Sequence, residues 1–578
     1  MYHVKQSIIA RMLFTMMAAA TVPSAASAHI TLPDGRAEDR NANPAGTLRP
    51  GPIGDRVVLL PEPAAPLAGR RCVVPLFERR EFFGETPLPL AYRPPAACSG
   101  PWARVVLEGD LDVTAGLQFD RTASITIGDA TLFVGTTMEP GKRYAPKWHV
   151  ERDVTDYAAL LRRPGAGAAS LVNFTDDTHD GRTFWSARLV FYAADPATKH
   201  ARTPPSLVVP VTPGLERIDA AKPAFERTLQ LPRNLTRVQL DLFAIGQDRE
   251  EFWYDCKPRI PGVPMAPWSN ACQAPFREVE VRIDGALAGL HAVTPVIFTG
   301  GINPALWRRA PGLRATNLPS ARLDLTPFVA QLNDGKPHRV TLSIPNVGTY
   351  FRIGGALLAE TDPRRAIVTG AVTRNTLAPA SVSTVQLPPR PGTEVTAETR
   401  TRATRTARVE GYAVTSRGRV RTSVEYTLAS TLTETTMRQR AIKRLDLGQS
   451  ATTVTSPPSA RPSMTRLDDH AGLTVDIHVA PSKYGVANGT EIRQSADLTR
   501  RDDHGTQRVT DTLTTFAPTA SPFTGPRDTP SRVTLSRRVA SGSGCTLTRV
   551  DIADDDITHV DRAPCTAPPA ISGNVGRD

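Results

Sequence analysis

The chain has 578 residues, enough for several domains and at least one large buried core. Only 6% of the residues are aromatic, whereas 52 prolines and 41 glycines are scattered along the chain. This composition favours many short strands joined by turns and argues against a helical protein. The formal charge of +12 would suit adhesion to an anionic cell surface, and a solvated arginine-rich surface is the simpler interpretation. The sequence has no nucleic-acid-binding motif, so we expect no nucleic-acid partner.

The N-terminus has the pattern of a secretory signal peptide over residues 1–28. Lys5 and Arg11 precede a short apolar run, and Ala26-Ser27-Ala28 forms a small-x-small cleavage site. The apolar run is too short to span a bilayer, and no later segment is longer. We therefore expect an exported protein, secreted or periplasmic, without a membrane span.

Six cysteines in an exported chain indicate disulfide bonds. Pairing between sequence neighbours is the simplest arrangement, although other connectivities remain open. That pairing predicts the bonds Cys72–Cys98, Cys256–Cys272 and Cys545–Cys565. The chain has no CxxC or HExxH motif and its 11 histidines do not cluster, so we expect no metal and no cofactor.

Strand patterns dominate the chain from its first third onward. Apolar residues alternate with polar ones at Ile125–Ile127, Val238–Ala244, Val279–Ile283 and Val340–Ile344. Sheets with one apolar face stack as sandwiches. Residues 369–578 shift to Thr, Arg, Ser and Val but keep an alternation, which predicts a third β-rich region that is partly flexible.

A short internal repeat indicates two tandem domains of similar plan. "DVTDYAALL" begins at Asp153 and "DLTPFVAQL" begins at Asp324, each after a strand and a turn. In both, Asp-x-Thr is a plausible start for one helical turn. Turn-rich segments place the domains at 29–212 and 213–368.

The stretch "GQDREEFWYD", residues 246–255, combines acids and rings directly after a predicted strand. Glu250 and Glu251 are neighbours, so at least one carboxyl should have a raised pKa if both are partly buried, as a general acid requires. Trp253 offers a flat surface for a sugar or a peptide. The alternative interpretation is a core aromatic cluster with solvated acids at its rim.

Other acidic residues lie in loops of the first domain. Asp120 and Arg121 lead into the strand of "LQFDRTASITI". The Asp120 carboxylate could meet the acidic residues of segment 246–255 in a cleft between the two domains. Asp176 lies in "NFTDDTHDGR", which lacks the spacing of a calcium loop and is by default a polar turn. Glu139 in "TTMEP" is a turn residue of similar standing, as is Asn303 in "GGINP" of the second domain.

An ordered series of motifs resembles the plant-type peptide:N-glycosidase A family. "EEFWY", "REVEVRIDG", "PVIFTGGINPALW", "LDLTPF" and "LNDGKPH" follow one another in residues 250–338, and "GLQFDR", "TTMEP", "WHVERDVTDYAALL" and "RLVFYA" precede them. The resemblance covers residues 102–360. One departure is Ile245, where many plant-type members have a histidine before the glycine.

The resemblance implies an exported amidase (a peptide-N4-(N-acetyl-β-glucosaminyl)asparagine amidase) that needs no cofactor. It would act as a monomer on N-glycosylated peptides, hydrolysing the amide between Asn and the innermost N-acetylglucosamine to give an Asp peptide and a glycosylamine. A more distant similarity to the flavobacterial peptide:N-glycosidases implies an all-β fold. That fold would have two tandem jelly-roll-like β-sandwiches, with the site between them, followed by the third β-rich region.

The same resemblance implies roles for individual residues. The catalytic acids would be Asp120 and either Glu251, the preferred candidate, or Glu250. A third acid would fall near Asp176. The residues expected to bind substrate are Arg121, Asp248, Trp253 and Trp307. The alternative is a non-catalytic carbohydrate-binding sandwich of the same fold, against which the retained Asp120 and glutamate pair argue.

Overall fold

A computed structural model of the protein describes residues 70–142, 144–194, 203–259, 271–302, 309–389, 391–481, 489–502, 505–517, 532–541, 544–553 and 556–565. Within them the chain is all-β, built from several antiparallel sheets and a few single helical turns. The predicted signal peptide, Asn303 and Trp307 lie outside these residues. No helix in the described ranges is long and apolar enough to cross a bilayer.

The first unit contains eight strands, one four-residue helix and two 3-10 turns. These are β1 (Arg71–Phe82), β2 (Leu88–Tyr92), a 3-10 turn (Ala96–Cys98), β3 (Trp102–Val113), β4 (Thr122–Ile127), β5 (Ala130–Thr136), β6 (Lys147–Asp153), a 3-10 turn (Thr155–Tyr157), α1 (Ala158–Leu161), β7 (Gly165–Leu171) and β8 (Thr183–Ala193). They pair as two sheets in the orders β1-β8-β3-β6 and β2-β7-β4-β5. The core includes the buried rings of Trp148, Trp185 and Phe191.

The second unit is built in the same way with a few additions. Its elements are β9 (Leu207–Pro210), β10 (Glu216–Asp219), β11 (Ala224–Leu229), β12 (Leu235–Gln247), a 3-10 segment (Asp248–Asp255), β13 (Lys257–Pro258), β14 (Ala271–Cys272), β15 (Glu278–Ile283), β16 (Ala286–Ala292), β17 (Ala321–Asp324), a 3-10 turn (Thr326–Phe328), α2 (Val329–Leu332), β18 (His338–Ser343) and β19 (Tyr350–Thr361). Its main sheets run β10-β19-β12-β17 and β11-β18-β15-β16, with β9 added on β19. We number the strands of each unit from one to eight in chain order, leaving out β9 and the short β13–β14 ladder. Both units then have the same two sheets, with strand orders 1-8-3-6 and 2-7-4-5.

The repeated Asp-x-Thr motif starts a helical turn at the same place in both units. The Thr155 backbone N–H donates to Asp153 Oδ1 at 2.9 Å, and the Thr326 N–H donates to Asp324 Oδ1 at 2.9 Å. Each turn lies between the sixth and the seventh strand of its unit. The short sequence repeat therefore marks equivalent positions in two similarly paired units.

The remaining described residues form one antiparallel sheet of eleven strands. They are β20 (Thr369–Asn375), β21 (Ser381–Leu387), β22 (Val395–Thr415), β23 (Gly418–Met437), β24 (Arg440–Ser456), β25 (Ser463–Ala480), β26 (Gly489–Asp502), β27 (Gly505–Ala517), β28 (Arg532–Ser541), β29 (Gly544–Ala553) and β30 (Asp556–Pro564). Apart from β21, which pairs with β22, each strand follows its neighbour in order.

One face of this C-terminal sheet covers both units. Val424 and Leu447 belong to the core of the second unit, whereas Leu535 and Val560 belong to that of the first. Three disulfides follow the nearest-neighbour pairing, namely Cys72–Cys98, Cys256–Cys272 and Cys545–Cys565.

Candidate active site

A buried polar network joins the first unit to the second. The Asp241 carboxylate accepts hydrogen bonds from Tyr157 and Ser320, both at 2.7 Å, and lies 3.3 Å from Arg322 Nε. Burial raises the pKa of the Asp241 carboxyl, but Arg322 and Arg152 outweigh burial and hold that pKa below its usual range. A desolvated charge with this many partners is costly to displace, so it fixes the two units relative to each other.

An apolar and backbone contact extends this seam between the units. Val134 packs with Phe243 in one small cluster, and the Leu318 N–H donates to the Val134 carbonyl at 2.8 Å. Gly135 is required there, because a Cβ at this position would lie 2.3 Å from the carbonyl oxygen of Thr316. The loop before β17 therefore lies directly against β5.

The two predicted acidic loops meet at this seam. Thr122, the first residue of β4, donates from Oγ1 to Oε1 of Gln247, the last residue of β12, at 3.0 Å. Asp120 lies two residues before Thr122, and Asp248 directly follows Gln247. One loop from each unit thus approaches the same place.

Asp120 is half-buried and held through its backbone. Its N–H donates to Oε1 of Glu139 at 3.3 Å, and the next residue exchanges two hydrogen bonds with Thr137. Glu139 is buried, although its sequence context indicated only a turn. Its one sequence signal is that it follows the largely apolar run of β5, "ATLFVGT".

Gln118 links the Asp120 loop to the loop of residues 173–182. Its Nε2 donates to the carbonyls of Phe174 and Gly181 at 2.9 and 3.0 Å. Its Oε1 accepts from Arg121 Nη2 at 2.8 Å. Both ends of the amide are occupied, so Gln118 fixes the orientation of the Arg121 guanidinium.

Asp176 organises its own turn on the protein surface. Its Oδ1 accepts from the backbone N–H groups of His179 and Thr178 at 2.6 and 2.8 Å, and these hydrogen bonds lower the pKa of the carboxyl. The His179 ring stacks on Phe119 with centroids 4.5 Å apart. Two acids are hydrogen-bonded to the Asp120 loop, Glu139 through the Asp120 N–H and Asp180 through the Leu117 N–H at 2.9 Å. Asp176 is linked to that loop through the His179–Phe119 stack.

The Glu250 carboxylate is engaged in a buried ion pair, which favours a structural role for it over the predicted catalytic one. Arg277 Nε and Nη2 donate to its two carboxylate oxygens at 2.7 and 3.0 Å, and the Gly348 N–H donates to Oε1 at 2.6 Å. The side chains of Glu250 and Arg277 are only 3% and 1% exposed. This ion pair also neutralises the charge that was expected to act on Glu251. Arg277 was not singled out in the sequence.

Glu251 is the half-buried acid of the pair. Its Oε1 accepts from the Asp248 N–H at 3.2 Å, and Asp248 itself has a φ of 60°, a left-handed conformation that Asp tolerates. Burial, then the charge of Glu251, raises the pKa of Tyr254. Gly246 allows this compact loop, since a Cβ there would lie 2.0 Å from the Glu250 carbonyl oxygen.

The prediction that Trp253 forms a stacking surface is wrong. Trp253 is 3% exposed and packs edge-on against Tyr254, with centroids 5.5 Å apart. Its ring therefore contributes to the core and presents no face to a sugar. Phe252 is the half-buried ring of this run. Trp307 lies outside the described residues.

No group of three or more metal-ligating side chains comes together in the part of the chain that the structure describes. The site instead consists of carboxylates, an arginine and an amide at the meeting point of two units.

Together the fold and the site define an all-β protein with two similarly paired units and an acidic seam between them. A family model described as Peptide N-acetyl-beta-D-glucosaminyl asparaginase amidase A matches residues 68–396, more than half of the chain, and the chain belongs to this family. A protein of Prunus dulcis named peptide-N4-(N-acetyl-beta-glucosaminyl)asparagine amidase A is 27% identical over 329 residues. The match covers 52% of this chain and 56% of that relative, so the chain spans little more than half the length of the relative.

Solved structures of peptide:N-glycosidases are similar to this chain only at a distance. One is PNGase F, a glycosylasparaginase from Flavobacterium meningosepticum, at 14% identity, 50% coverage of this chain, 96% of that chain and a TM-score of 0.34. Another is PNGF-II, at 14% identity, 50% and 66% coverage and a TM-score of 0.36. At these scores the likeness is too distant to transfer residue roles.

Proposed function

We propose that this protein is an exported amidase that hydrolyses the amide between Asn and the innermost N-acetylglucosamine of N-glycans. Membership of the amidase family supports the reaction class. The observation that carries the proposal is the Thr122–Gln247 contact at 3.0 Å, because it joins the loop of Asp120 in one unit to the loop of Glu251 in the other. Export rests on the predicted signal peptide and on the disulfides, which persist in oxidising compartments.

The proposed architecture is two tandem jelly-roll-like sandwiches, at residues 29–212 and 213–368, followed by the C-terminal sheet in 369–578. The shared order 1-8-3-6 and 2-7-4-5 supports this division, since it alternates strands between two facing sheets as a jelly roll does.

In the proposed mechanism, Asp120 acts as general base on a water molecule. The water oxygen bonds to the carbonyl carbon of the Asn side chain, and its proton moves to the Asp120 carboxylate. Glu251 in its acid form donates a proton to the amide nitrogen as the carbon–nitrogen bond breaks. The products are an Asp side chain and a glycosylamine, so atoms and protons balance.

The remaining polar residues would position the sugar. Arg121, oriented by Gln118, would supply donors from the Asp120 loop, and Asp248 borders the same seam. Glu139 and Glu250 would hold the two loops without touching substrate. We omit Trp253 from the substrate-binding residues because its ring is buried.

The test is incubation of the purified protein with a defined N-glycopeptide, followed by mass spectrometry of both products. The proposal expects a peptide with Asp in place of Asn and release of the whole glycan. A peptide that keeps one sugar would indicate cleavage between the two core sugars instead. Binding of the glycopeptide without any product would indicate a non-catalytic carbohydrate-binding protein. Either outcome would overturn the proposal.

A further inference from the structure

Arg314 is a buried cation in the loop between β16 and β17. Its side chain is 7% exposed, and its Nη1 and Nη2 are buried without a hydrogen-bond partner in the described part of the chain. The residue also has a φ of 61°, which is uncommon outside glycine and asparagine. A buried guanidinium without acceptors is destabilising, so its retention in this strained position calls for a ligand.

Arg314 lines a small cavity between the second unit and the C-terminal sheet. The cavity holds about 30 Å³, and Arg500 and His291 lie on its wall. The rest of the lining is mostly apolar and includes Val293 and Leu318. A volume of about 30 Å³ is more than one water molecule needs, and the mostly apolar walls offer few donors to a tetrahedral oxyanion.

The charge around the cavity is positive. Burial lowers the pKa of Arg314 to about 10. The nearby carboxylate of Asp469 raises this pKa, whereas the positive charge of Arg500 lowers it further. Arg314 thus keeps its charge at neutral pH. Asp469 lies on the wall of a neighbouring cavity, also about 30 Å³, that shares His291 and Arg500. Water would satisfy the N–H groups of Arg314, but Asp469 is the single carboxylate among the described residues that line the two cavities, against Arg314 and Arg500.

We propose that this cavity binds a single halide-sized monovalent anion on the guanidinium of Arg314. The apolar walls favour a weakly hydrated ion such as chloride or bromide over sulfate. The bound ion would connect three parts of the molecule, because Arg314 precedes Ala315, whose carbonyl accepts from the Thr136 N–H of β5 at 2.8 Å, and Arg500 belongs to β26. The site is separate from the acidic seam and does not depend on the amidase proposal.

Thermal unfolding of the full chain in a halide titration tests this site. At constant ionic strength, chloride and bromide should raise the Tm, whereas sulfate should not. Above the concentration that fills the site, each further tenfold increase in halide should raise the Tm by the same amount. Arg314→Met should abolish the halide-dependent shift, and it should raise the Tm in halide-free buffer if it folds, because the unpaired charge is gone. The matched control Arg549→Met, at an exposed position of β29, should keep the wild-type shift.

A second variant and a crystal keep the test decisive if Arg314→Met fails to fold. Asp469→Asn should tighten halide binding severalfold, since it removes the competing carboxylate. Crystals grown with bromide should show an anomalous peak within hydrogen-bond distance of the Arg314 guanidinium. The same Tm shift in sulfate as in bromide would overturn the proposal. So would an anomalous peak without any halide-dependent shift, because that is binding at crystal concentration only.

Discussion

At the scale of single residues, Glu250 and Arg277 form the strongest link behind the proposed site. Arg277→Met should leave the Glu250 carboxylate buried without its partner and lower the free energy of unfolding by about 3–5 kcal/mol. Chemical denaturation measures this change, and glycan release should fall with it because the Glu251 loop loses its support.

The matched control for Arg277 lies further along the same chain segment. Arg282, in β15, pairs with Glu280 at 2.8 Å but is 36% exposed. Arg282→Met should therefore change the free energy of unfolding by only about 0–1 kcal/mol. Equal losses in the two variants would contradict the structural role given to the buried pair.

The sequence alone could not distinguish Glu250 from Glu251. The two residues lie in a 3-10 segment, where neighbouring side chains point in directions roughly 120° apart. Only the position of Arg277, 27 residues further on, decides which one is buried. Trp253 was misassigned for the same reason. Trp253 and Tyr254 are buried whereas Phe252 is half-buried, and a run of three aromatic residues is too short to show this difference as a sequence period.

At the scale of elements, the pairing of β3 with β6 carries a pH-dependent interaction. His149 and Asp110 are register partners, with His149 Nδ1 2.7 Å from Asp110 Oδ1. Burial lowers the pKa of His149, but hydrogen bonds to Asp110 and Glu151 outweigh burial and raise it from 6.5 to about 9.

Because this pKa is raised in the folded state, the stabilisation is complete below pH 6.5 and is lost as the pH rises through 9. His149→Gln should therefore lower the free energy of unfolding by roughly 3 kcal/mol near pH 6, and by much less above pH 9. Denaturant unfolding of both proteins across this range measures the difference. A difference that grows with pH would contradict the assignment.

The seam between the units depends on the acceptor network of Asp241. Tyr157→Phe removes one donor from this buried carboxylate and should cost about 1–3 kcal/mol. Thermal unfolding measures the loss, and Tyr192→Phe is a suitable control because Tyr192 is buried away from this network. Equal stability of Tyr157→Phe and wild type would show that the seam does not need this hydrogen bond.

Period-two patterns predicted the strands of both units well, because each strand has one face in a core. The alternation at Val238–Ala244 lies within β12, and that at Val279–Ile283 lies within β15. The same alternation could not show that Asp241 faces the other unit. Its partners Tyr157, Ser320 and Arg322 come from distant positions, so the seam appears only in three dimensions.

At the scale of the whole molecule, the C-terminal sheet belongs to the core of both units. A chain ending at residue 368 would expose the surfaces that Val424 and Leu535 cover. We expect it to be insoluble or to unfold at a clearly lower temperature than the full chain, as solubility and calorimetry would show. A soluble truncated protein with unchanged Tm and activity would contradict this role.

The composition of the C-terminal region did not indicate how regular its sheet is. Its buried face uses small residues such as Ala403 and Ala407 beside a few larger ones, and its Thr and Arg content resembles that of flexible segments. Long register-matched strands supply the order that low hydrophobicity does not suggest.

The central claim is that a carboxylate from each unit acts on one amide, and its most direct test uses water labelled with ¹⁸O. Wild-type protein should place one ¹⁸O atom in the new Asp side chain of an N-glycopeptide. Asp120→Asn and Glu251→Gln should each fold like wild type and form almost none of this product. Release of labelled Asp peptide by both variants at rates near that of the wild type would contradict the account.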